Sequence, residues 1–401
     1  MRRFARQYRD FFRQPDVARL MGVALLSRMP IGMVGLSMLM FLREGLGSYA
    51  LAGSVSGIYF VAMAAGSPIQ GRLIDRTGPR LTLWVTGIVH PISLLAILLS
   101  ARWGLPYAAI ATAAASAGFF AMPITVLTRT LWRHRFTHED ERRRAFAIDA
   151  VMIEINFTLG PAIIAAVLAT RGPTTAFSIA IAVTVAALLV FVSSPALRYF
   201  KRESPAERHM LGPLTEPRLI LVFFATLGLT MGFGLLEVGY PGYATALAMP
   251  ALGGILLSIN SLGSAIGGAI FGGLRLRAPI ERQFALAMGV MSLPLFLHAF
   301  VDGPYAFAVA AFLAGAAIAP SITCQSVLVS RLAPSHYATE AFTWSSTFIV
   351  SGLGAGMALG GLLVETTGPK APFVAGGAIV AAMALLAFLQ RPAPESAKPP
   401  P

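Results

Sequence analysis

Long apolar runs separated by short polar segments recur along the whole chain, and they constrain its fold more than any other feature. Each run has about 20 residues or more, the length that an α-helix needs to cross a hydrocarbon core about 30 Å thick. Only 12% of the 401 residues are charged, whereas a soluble domain of ordinary composition has about 25%. The sequence therefore predicts an all-α polytopic membrane protein.

Twelve of these runs are long enough to be transmembrane helices. Their bounds follow from the positions at which charged residues, glycine and proline interrupt each apolar run. The predicted spans are 18–42, 50–70, 81–101, 105–128, 146–169, 175–195, 218–240, 247–272, 283–301, 305–330, 339–364 and 372–390.

The distribution of lysine and arginine predicts the orientation of these spans. Of the 31 basic residues, 26 fall in segments or at span ends on the side of both termini, four fall in segments on the other side, and Arg28 lies deep within a span. Because basic residues concentrate in cytoplasmic segments, both termini are expected in the cytoplasm of a cell with a bacterial-type inner membrane. The net charge of +13 is thereby explained by topology, and we expect no nucleic-acid partner.

An internal repeat relates the two halves of the chain. At an offset of 196 residues, the Gly-Pro pair at 172–173 matches the pair at 368–369, and at an offset of 198 the Pro-Tyr-Ala segment at 106–108 matches 304–306. These matches fall at corresponding span ends, so the sequence predicts two six-helix pseudo-repeats in the same orientation.

The polar segment between spans six and seven separates these repeats. We therefore divide the chain into a basic cytoplasmic N-terminal segment, two six-helix halves, a cytoplasmic central loop between them, and a proline-rich tail that we expect to be disordered. The corresponding bounds are 1–17, 18–195, 196–217, 218–390 and 391–401.

The segment 71–80, between spans two and three, is unusually rich in charge for this chain. It reads Gly-Arg-Leu-Ile-Asp-Arg-Thr-Gly-Pro-Arg, and by charge alone it could be a solvated hairpin. Its pattern resembles the signature loop of the major facilitator superfamily, and the twelve spans and two repeats extend the resemblance to the whole chain. The resemblance implies alternating access, with the motif aspartate facing the start of span eleven at an inner gate. The motif positions are Gly71, Leu73, Asp75, Arg76, Gly78 and Arg80, of which the two glycines are expected to permit close packing and a sharp turn.

A second motif bears on the subtype within this superfamily. Efflux-type members carry a glycine-rich motif in span five built around Gly-Pro, which Gly160 and Pro161 match as a helix-packing element. This chain departs from the efflux-type pattern in two places. Ile164 and Ala165 stand where further glycines occur in that motif. Efflux-type members also commonly carry an arginine inside span four, and this span has none before Arg129. With these two departures, the resemblance implies a proton-coupled exporter of a small organic compound or drug. Sugar efflux or uptake of a nutrient or metabolite is the alternative.

Arg28 is the one basic residue deep within a predicted span, away from its ends. An arginine at the centre of a span costs about 2.5–3.5 kcal/mol on insertion scales, so it is expected to face a partner or a cavity. Glu154 lies at a similar depth in span five and is the expected partner. The pair is either a structural contact inside the N-terminal half or a cavity-facing site that binds substrate or exchanges protons.

Further polar residues within the spans are candidates for the substrate or proton site. Asn156 lies about 200° from Glu154 on a helix, which leaves a hydrogen bond to a neighbouring span as its alternative role. Glu237 is a second protonation candidate, unless its place near the outer end of span seven makes it merely interfacial. The C-terminal half adds Asn260 and Gln325.

Neither a phosphate-binding Gly-x-x-x-x-Gly-Lys-[Ser/Thr] loop nor a metal-ligand cluster is evident in the sequence. We therefore expect no enzyme activity, no cofactor and no metal, and we expect a monomer whose partners are the lipid bilayer, a small-molecule substrate and protons. A non-transporting membrane receptor on the same scaffold is the alternative from another functional class.

Overall fold

The computed structural model describes residues 11–136, 138–199, 212–274, 276–333 and 338–389. The described residues form helices and short connections, with no β-strand among them. The first ten residues, most of the predicted central loop and the predicted tail lie outside these ranges.

The part of the chain up to residue 199 is called here the N-terminal half. Its helices are α1 Val17–Ser27, α2 Met29–Leu46, α3 Tyr49–Thr77, α4 Pro79–Arg102, α5 Tyr107–Phe119, α6 Ile124–Arg135 and α7 Glu139–Val192, followed by a 3-10 turn at Pro195–Tyr199.

The part from residue 212 onward is called the C-terminal half. After a 3-10 turn at Gly212–Thr215, its helices are α8 Pro217–Ala246, α9 Pro250–Gly273, α10 Ile280–Phe300, α11 Pro304–Ala316, α12 Ile318–Leu332, α13 Ala338–Thr366 and α14 Ala371–Leu389.

Eleven helical stretches in the described residues are long and apolar enough to cross a membrane. The longest, Arg144–Val192, has 49 residues and contains Gly172, whose backbone angles (φ 79°, ψ 175°) are not helical. Two helical segments meet at this residue, in the stretch where the sequence predicts the connection between spans five and six. The predicted loop is therefore a sharp bend.

Another stretch, Val17–Leu46, is interrupted at Arg28, where α1 ends and α2 begins. Pro30 follows the break, and because its ring nitrogen carries no hydrogen it cannot donate to the carbonyl one turn earlier. The side chain of Arg28 thus projects from an interruption in the helix.

The two halves meet along two pairs of helices. Helix α3 packs against α13, and α7 packs against α9. At the first junction a Cβ atom added to Gly53 would lie 3.0 Å from the Cα of Gly361, and one added to Gly57 would lie 2.7 Å from the carbonyl oxygen of Gly354. Small residues let membrane helices approach this closely and gain dispersion contacts.

Equivalent close contacts occur within both halves. A Cβ on Gly118 would lie 2.8 Å from the carbonyl carbon of Tyr59, and a Cβ on Gly315 would lie 2.7 Å from that of Asn260. The matching residues are separated by 197 and 201 positions, close to the offsets of the sequence repeat. The local packing of a glycine against a neighbouring helix is therefore repeated in the two halves.

The ends of the helices form two distinct faces of the bundle. On the first, called the N-terminal face, Gln14 Nε2 donates to Glu141 Oε1 at 2.6 Å. On the second, called the opposite face, Lys370 Nζ lies 2.7 Å from Asp302 Oδ1. Helix α3 runs from the opposite face to the N-terminal face, and α13 returns in the other direction.

Candidate functional site

Arg28 lies in a buried polar network of the N-terminal half. Its side chain is fully shielded from solvent, with Nη1 donating to Asp149 Oδ1 at 2.7 Å and Nη2 in contact with the hydroxyl of Thr128. The network joins the break between α1 and α2 to helices α6 and α7. An arginine removed from water requires such a partner, because an unpaired buried charge is strongly destabilising.

Asp149 is the centre of this network. Its Oδ1 also accepts a hydrogen bond from Trp132 Nε1 at 2.8 Å, and Arg129 Nε lies 4.0 Å from its Oδ2. Two of these partners, Trp132 and Arg28, are buried with it. The carboxylate therefore binds three elements of one half together, which is a structural role.

The predicted pairing of Arg28 with Glu154 is wrong, since Arg28 pairs with Asp149. Five residues separate the two acids on α7, which corresponds to about 500° of rotation and about 7.5 Å of rise. They therefore face directions about 140° apart, and only one can point at Arg28. The depth estimate from sequence placed the start of the helix near residue 146, whereas α7 begins at Glu139.

Glu154 instead faces the junction between the halves. Its side chain is partly exposed, and its polar neighbour is Ser264 of α9, in the C-terminal half. Within the part of the chain that the structure describes, no basic side chain forms an ion pair with Glu154. This carboxyl group thus lies between the two halves without a counter-ion among the described residues.

Asn156 points into the N-terminal half. It is buried, and its Nδ2 donates to the carbonyl oxygen of Leu25 at 3.3 Å, next to the helix break. Its Oδ1 is buried and has no hydrogen-bond partner among the residues that the structure describes. The hydrogen bond to a neighbouring span, which was the alternative reading of this residue, is present.

Asn260 and Gln325 connect helices inside the C-terminal half. Asn260 Nδ2 donates to the carbonyl oxygen of Ala311 at 2.9 Å, and Gln325 Nε2 donates to Ser345 Oγ at 2.7 Å. Both amides are buried. Ser345 follows Asp149 by 196 residues, so a neutral hydrogen bond in this half takes the place of the ion pair in the other.

Glu237 lies on α8, one turn before a proline inside the helix. Pro241, four residues later, has no N–H to donate to the Glu237 carbonyl, so the helix can bend there at little cost. Tyr240 is adjacent, and its hydroxyl is buried with no hydrogen-bond partner in the described part of the chain. Its polar neighbour is Asn260. The Glu237 side chain is partly exposed.

The signature motif is mostly helical. Helix α3 continues to Thr77, and the turn is confined to Gly78, whose positive φ of 84° requires a residue without a Cβ. The prediction that Gly71 permits close packing is wrong, since a Cβ there would meet nothing within 4 Å. The side chains of Leu73, Arg76 and Arg80 are exposed, and the side chain of Asp75 lies outside the described residues.

The Gly-Pro motif of α7 contacts both halves. A Cβ on Gly160 would lie 2.6 Å from the carbonyl carbon of Gly32 in α2, and a Cβ on Gly254 of α9 would lie 2.7 Å from the carbonyl oxygen of Pro161. Gly160 thus lets α7 approach α2 of its own half. On the other side, Gly254 lets α9 of the other half approach α7 at Pro161.

A cavity of about 250 Å³ lies between the halves at the opposite face. It is smaller than the 300–1,000 Å³ that is typical of ligand pockets, so it does not hold a drug-sized molecule in this conformation. Its lining residues are Met40, Arg43, Glu44, Leu168, Pro173, Thr245, Ala248 and Pro250. Among the described residues no group of three His, Cys, Asp or Glu side chains is placed to hold a metal ion.

Sequence reasoning missed the central role of Asp149 and the position of Ser264. An acid at position 149 is expected near a helix N-terminus in any case, so it does not stand out. The signal available was that it is, besides Glu154, the acid nearest in depth to Arg28. Nothing in the sequence distinguishes Ser264 from the other serines of the spans, because its role depends on which helix of the other half lies opposite.

Comparison with known proteins places the fold. A family model for the Major Facilitator Superfamily matches residues 20–352 and 222–401. No curated protein matches the sequence. Among solved structures, the nucleoside transporter NupG is 16% identical with a TM-score of 0.72, covering 92% of this chain and 97% of its own. The peptide transporter POT in complex with sulfate is 14% identical with a TM-score of 0.68, covering 92% of each chain.

A third structure agrees with these two. A POT family transporter in complex with 5-aminolevulinic acid is 11% identical with a TM-score of 0.70, covering 93% of this chain and 95% of its own. At these identities the similarity concerns the fold alone. The family match extends over nearly the whole sequence and confirms the resemblance carried by the signature motif, so the chain is a multi-pass membrane protein of the transporter type and belongs to the Major Facilitator Superfamily.

Proposed function

We propose that this protein is a secondary active transporter that works by alternating access and exports a small organic compound in exchange for protons. In this proposal it has twelve spans in two six-helix repeats, because the bend at Gly172 divides the longest helix into two crossings. The N-terminal face, which carries the basic segments, is cytoplasmic, and the membrane is a bacterial-type inner membrane.

The single observation that carries the proposal is the position of Glu154. Its carboxyl group lies at the junction of α7 and α9 beside Ser264 and has no ion-pair partner among the described residues. Ionisable groups within spans are costly unless they line a pathway, and parallel-repeat transporters bind substrate and coupling ions between their halves. Relative movement of the halves would change the surroundings of Glu154 and hence its affinity for a proton.

The other sequence candidates divide into two groups under this proposal. Arg28, Asn156, Asn260 and Gln325 make hydrogen bonds within one half, which supports structural roles for them. Glu237 lies one turn before Pro241 in α8 and is partly exposed, which supports a second proton site. Asp75 is proposed to hold the inner gate by attraction to the start of α13, since an acid is stabilised near a helix N-terminus.

The decisive experiment is transport by the purified protein in proteoliposomes under an imposed pH gradient. Ethidium serves as the probe, and DNA enclosed in the vesicles makes its fluorescence report accumulation. Wild type is compared with Glu154→Gln and with the control Asp302→Asn, which removes a carboxylate from the periphery of one half. We expect gradient-driven flux to be lost in Glu154→Gln and kept in the control.

Three outcomes would change the proposal. Unchanged gradient-driven flux in Glu154→Gln would exclude this carboxyl group as the coupling site. Flux in the direction of the proton gradient, in place of exchange against it, would favour uptake over export. Binding of the probe with no flux under any gradient would favour a receptor function.

A further inference from the structure

The first turn of α3 is bound by two separate helices of the other half. On one side the hydroxyl of Tyr49 donates to the carbonyl oxygen of Pro241 at 3.0 Å and lies 2.7 Å from Thr245 Oγ1. Tyr49 is buried, so these hydrogen bonds are shielded from competing water. They join the beginning of α3 to the end of α8 at the opposite face.

On the other side, the carboxylate of Glu365 caps the start of α3. It accepts hydrogen bonds from Ser48 Oγ at 2.5 Å and from the backbone N–H of Ala50 at 2.9 Å. The first N–H groups of a helix have no partner within the helix, and the positive end of the helix dipole favours an anion there. Glu365 therefore joins the end of α13 to the beginning of α3.

Backbone contacts continue directly below this turn. A Cβ added to Gly361 would lie 3.0 Å from the carbonyl carbon of Tyr49 and 3.1 Å from the Cα of Gly53. The helices α3 and α13 thus touch at their backbones under the hydrogen-bonded turn. Opening this face requires that the contacts of Tyr49 and Glu365 break together with these apolar contacts.

The partner on α8 lies beyond a point where the helix can bend. Tyr49 binds Pro241 and Thr245, and Pro241 removes the hydrogen bond that would hold this end of α8 to the Glu237 carbonyl. Movement of residues 242–246 therefore breaks fewer backbone hydrogen bonds than bending of an uninterrupted helix would.

We propose that residues 48–50 form a latch that holds the opposite face closed, and that Tyr49 and Glu365 release it each time the protein opens toward that face. The inference rests on the proposed alternating-access function and adds to it the residues that hold one of the two end states. Tyr49 provides the buried part of the latch, and Glu365 provides an exposed part that hydration weakens.

The test measures the distance between the halves at the opposite face by electron–electron double resonance in nanodiscs. Spin labels are placed by Trp103→Cys and Tyr305→Cys, whose native side chains are 68% and 87% exposed, in the two halves. The buried Cys324 is replaced by serine in every sample. The ratio of open to closed distances is then compared among variants.

We expect Tyr49→Phe to raise the open-to-closed ratio by about threefold to tenfold, because it removes a buried hydrogen bond between the halves. Glu365→Gln is expected to raise it by about twofold to threefold, since its contacts are exposed. Ser48→Ala added to Glu365→Gln is expected to change the ratio less than the two single effects combined, because the residues act through one contact.

The matched control is Asp302→Asn. It removes a carboxylate contact at the same face, but the contact to Lys370 lies within the C-terminal half, so the ratio is expected to stay at the wild-type value. Thr245→Val tests the same latch from the α8 side and guards against misfolding of the Tyr49 variant. Melting temperatures within a few degrees of wild type establish that the variants are folded.

The outcomes separate the latch from the function on which it rests. Ratios for Tyr49→Phe, Thr245→Val and Glu365→Gln equal to that of Asp302→Asn would overturn the latch, even if gradient-driven ethidium transport persists. A raised open-to-closed ratio in these variants, together with no ethidium flux in wild type, would support the latch. That result would count only against proton-coupled export.

Discussion

Breaking the buried ion pair between Arg28 and Asp149 tests the assignment of Arg28 to the framework of the protein. Arg28 is fully buried and Asp149 is 2% exposed, so replacing Asp149 by alanine leaves a guanidinium group without its counter-ion. Removing one partner of a buried pair costs about 3–5 kcal/mol. We therefore expect Asp149→Ala to lower the free energy of unfolding by that amount, a large share of the about 5–15 kcal/mol of a typical protein.

The double variant Arg28→Met with Asp149→Leu removes both charges. Its remaining cost is the loss of the acceptor of Trp132 Nε1, about 1–3 kcal/mol for a buried group left unsatisfied, since the Thr128 hydroxyl keeps its hydrogen bond to the Ile124 carbonyl oxygen. Two apolar side chains of similar volume offset part of this cost through packing. The double variant is therefore expected to be more stable than Asp149→Ala, by about 1–3 kcal/mol.

The assay is unfolding in mixed micelles by increasing amounts of denaturing detergent, followed by circular dichroism. A double-mutant cycle with Arg28→Met and Asp149→Leu as single variants isolates the interaction between the two side chains. Additive effects of the two single changes would refute the reasoning, because they would show that the charges do not depend on each other. Unchanged stability in Asp149→Ala would refute it more directly.

Two further predictions concern glycines. Gly160→Ala is expected to lower folded yield, because its Cβ would lie 2.6 Å from the backbone of Gly32; Gly71→Ala, whose Cβ would meet nothing, is expected to be neutral or to stabilise α3 by up to about 1 kcal/mol. Size-exclusion profiles after extraction distinguish the two, and equal yields would contradict the packing argument. Gly172→Ala is expected to destabilise by about 1–2 kcal/mol, since φ is 79° there. A melting temperature unchanged from wild type would contradict the strain expected at this bend.

The sequence predicts the helices well where long apolar runs and their breakers coincide. The bend at Gly172 falls where Gly-Pro punctuation predicts a connection, and Gly78 takes the positive φ that a sharp turn requires. The extent of α3 was underestimated, because the charged residues between 71 and 77 were interpreted as a turn. The charged residues indicate that this segment lies outside the apolar core of the membrane. A helix can continue beyond that core.

The pairing of polar side chains could be predicted only in part. That Arg28 needs a partner follows from the cost of an unpaired charge in a span. That the partner is Asp149 rather than Glu154 depends on the rotation and starting point of α7, where an error of a few residues turns a side chain to another face. The role of Tyr49 could not be predicted from the sequence, because tyrosines are common at the ends of spans.

Composition and the lengths of the apolar runs were sufficient to determine that this chain is a polytopic membrane protein, because the thickness of the bilayer sets the length of each span. A ten-residue motif carried the resemblance to the Major Facilitator Superfamily, which the family model confirms. The tertiary structure alone decided that Arg28 and Asp149 hold one half together, that Glu154 faces Ser264 at the junction of the halves, and that the start of α3 is bound from two sides. These are contacts between residues more than 100 positions apart, and helix rotation and packing create them.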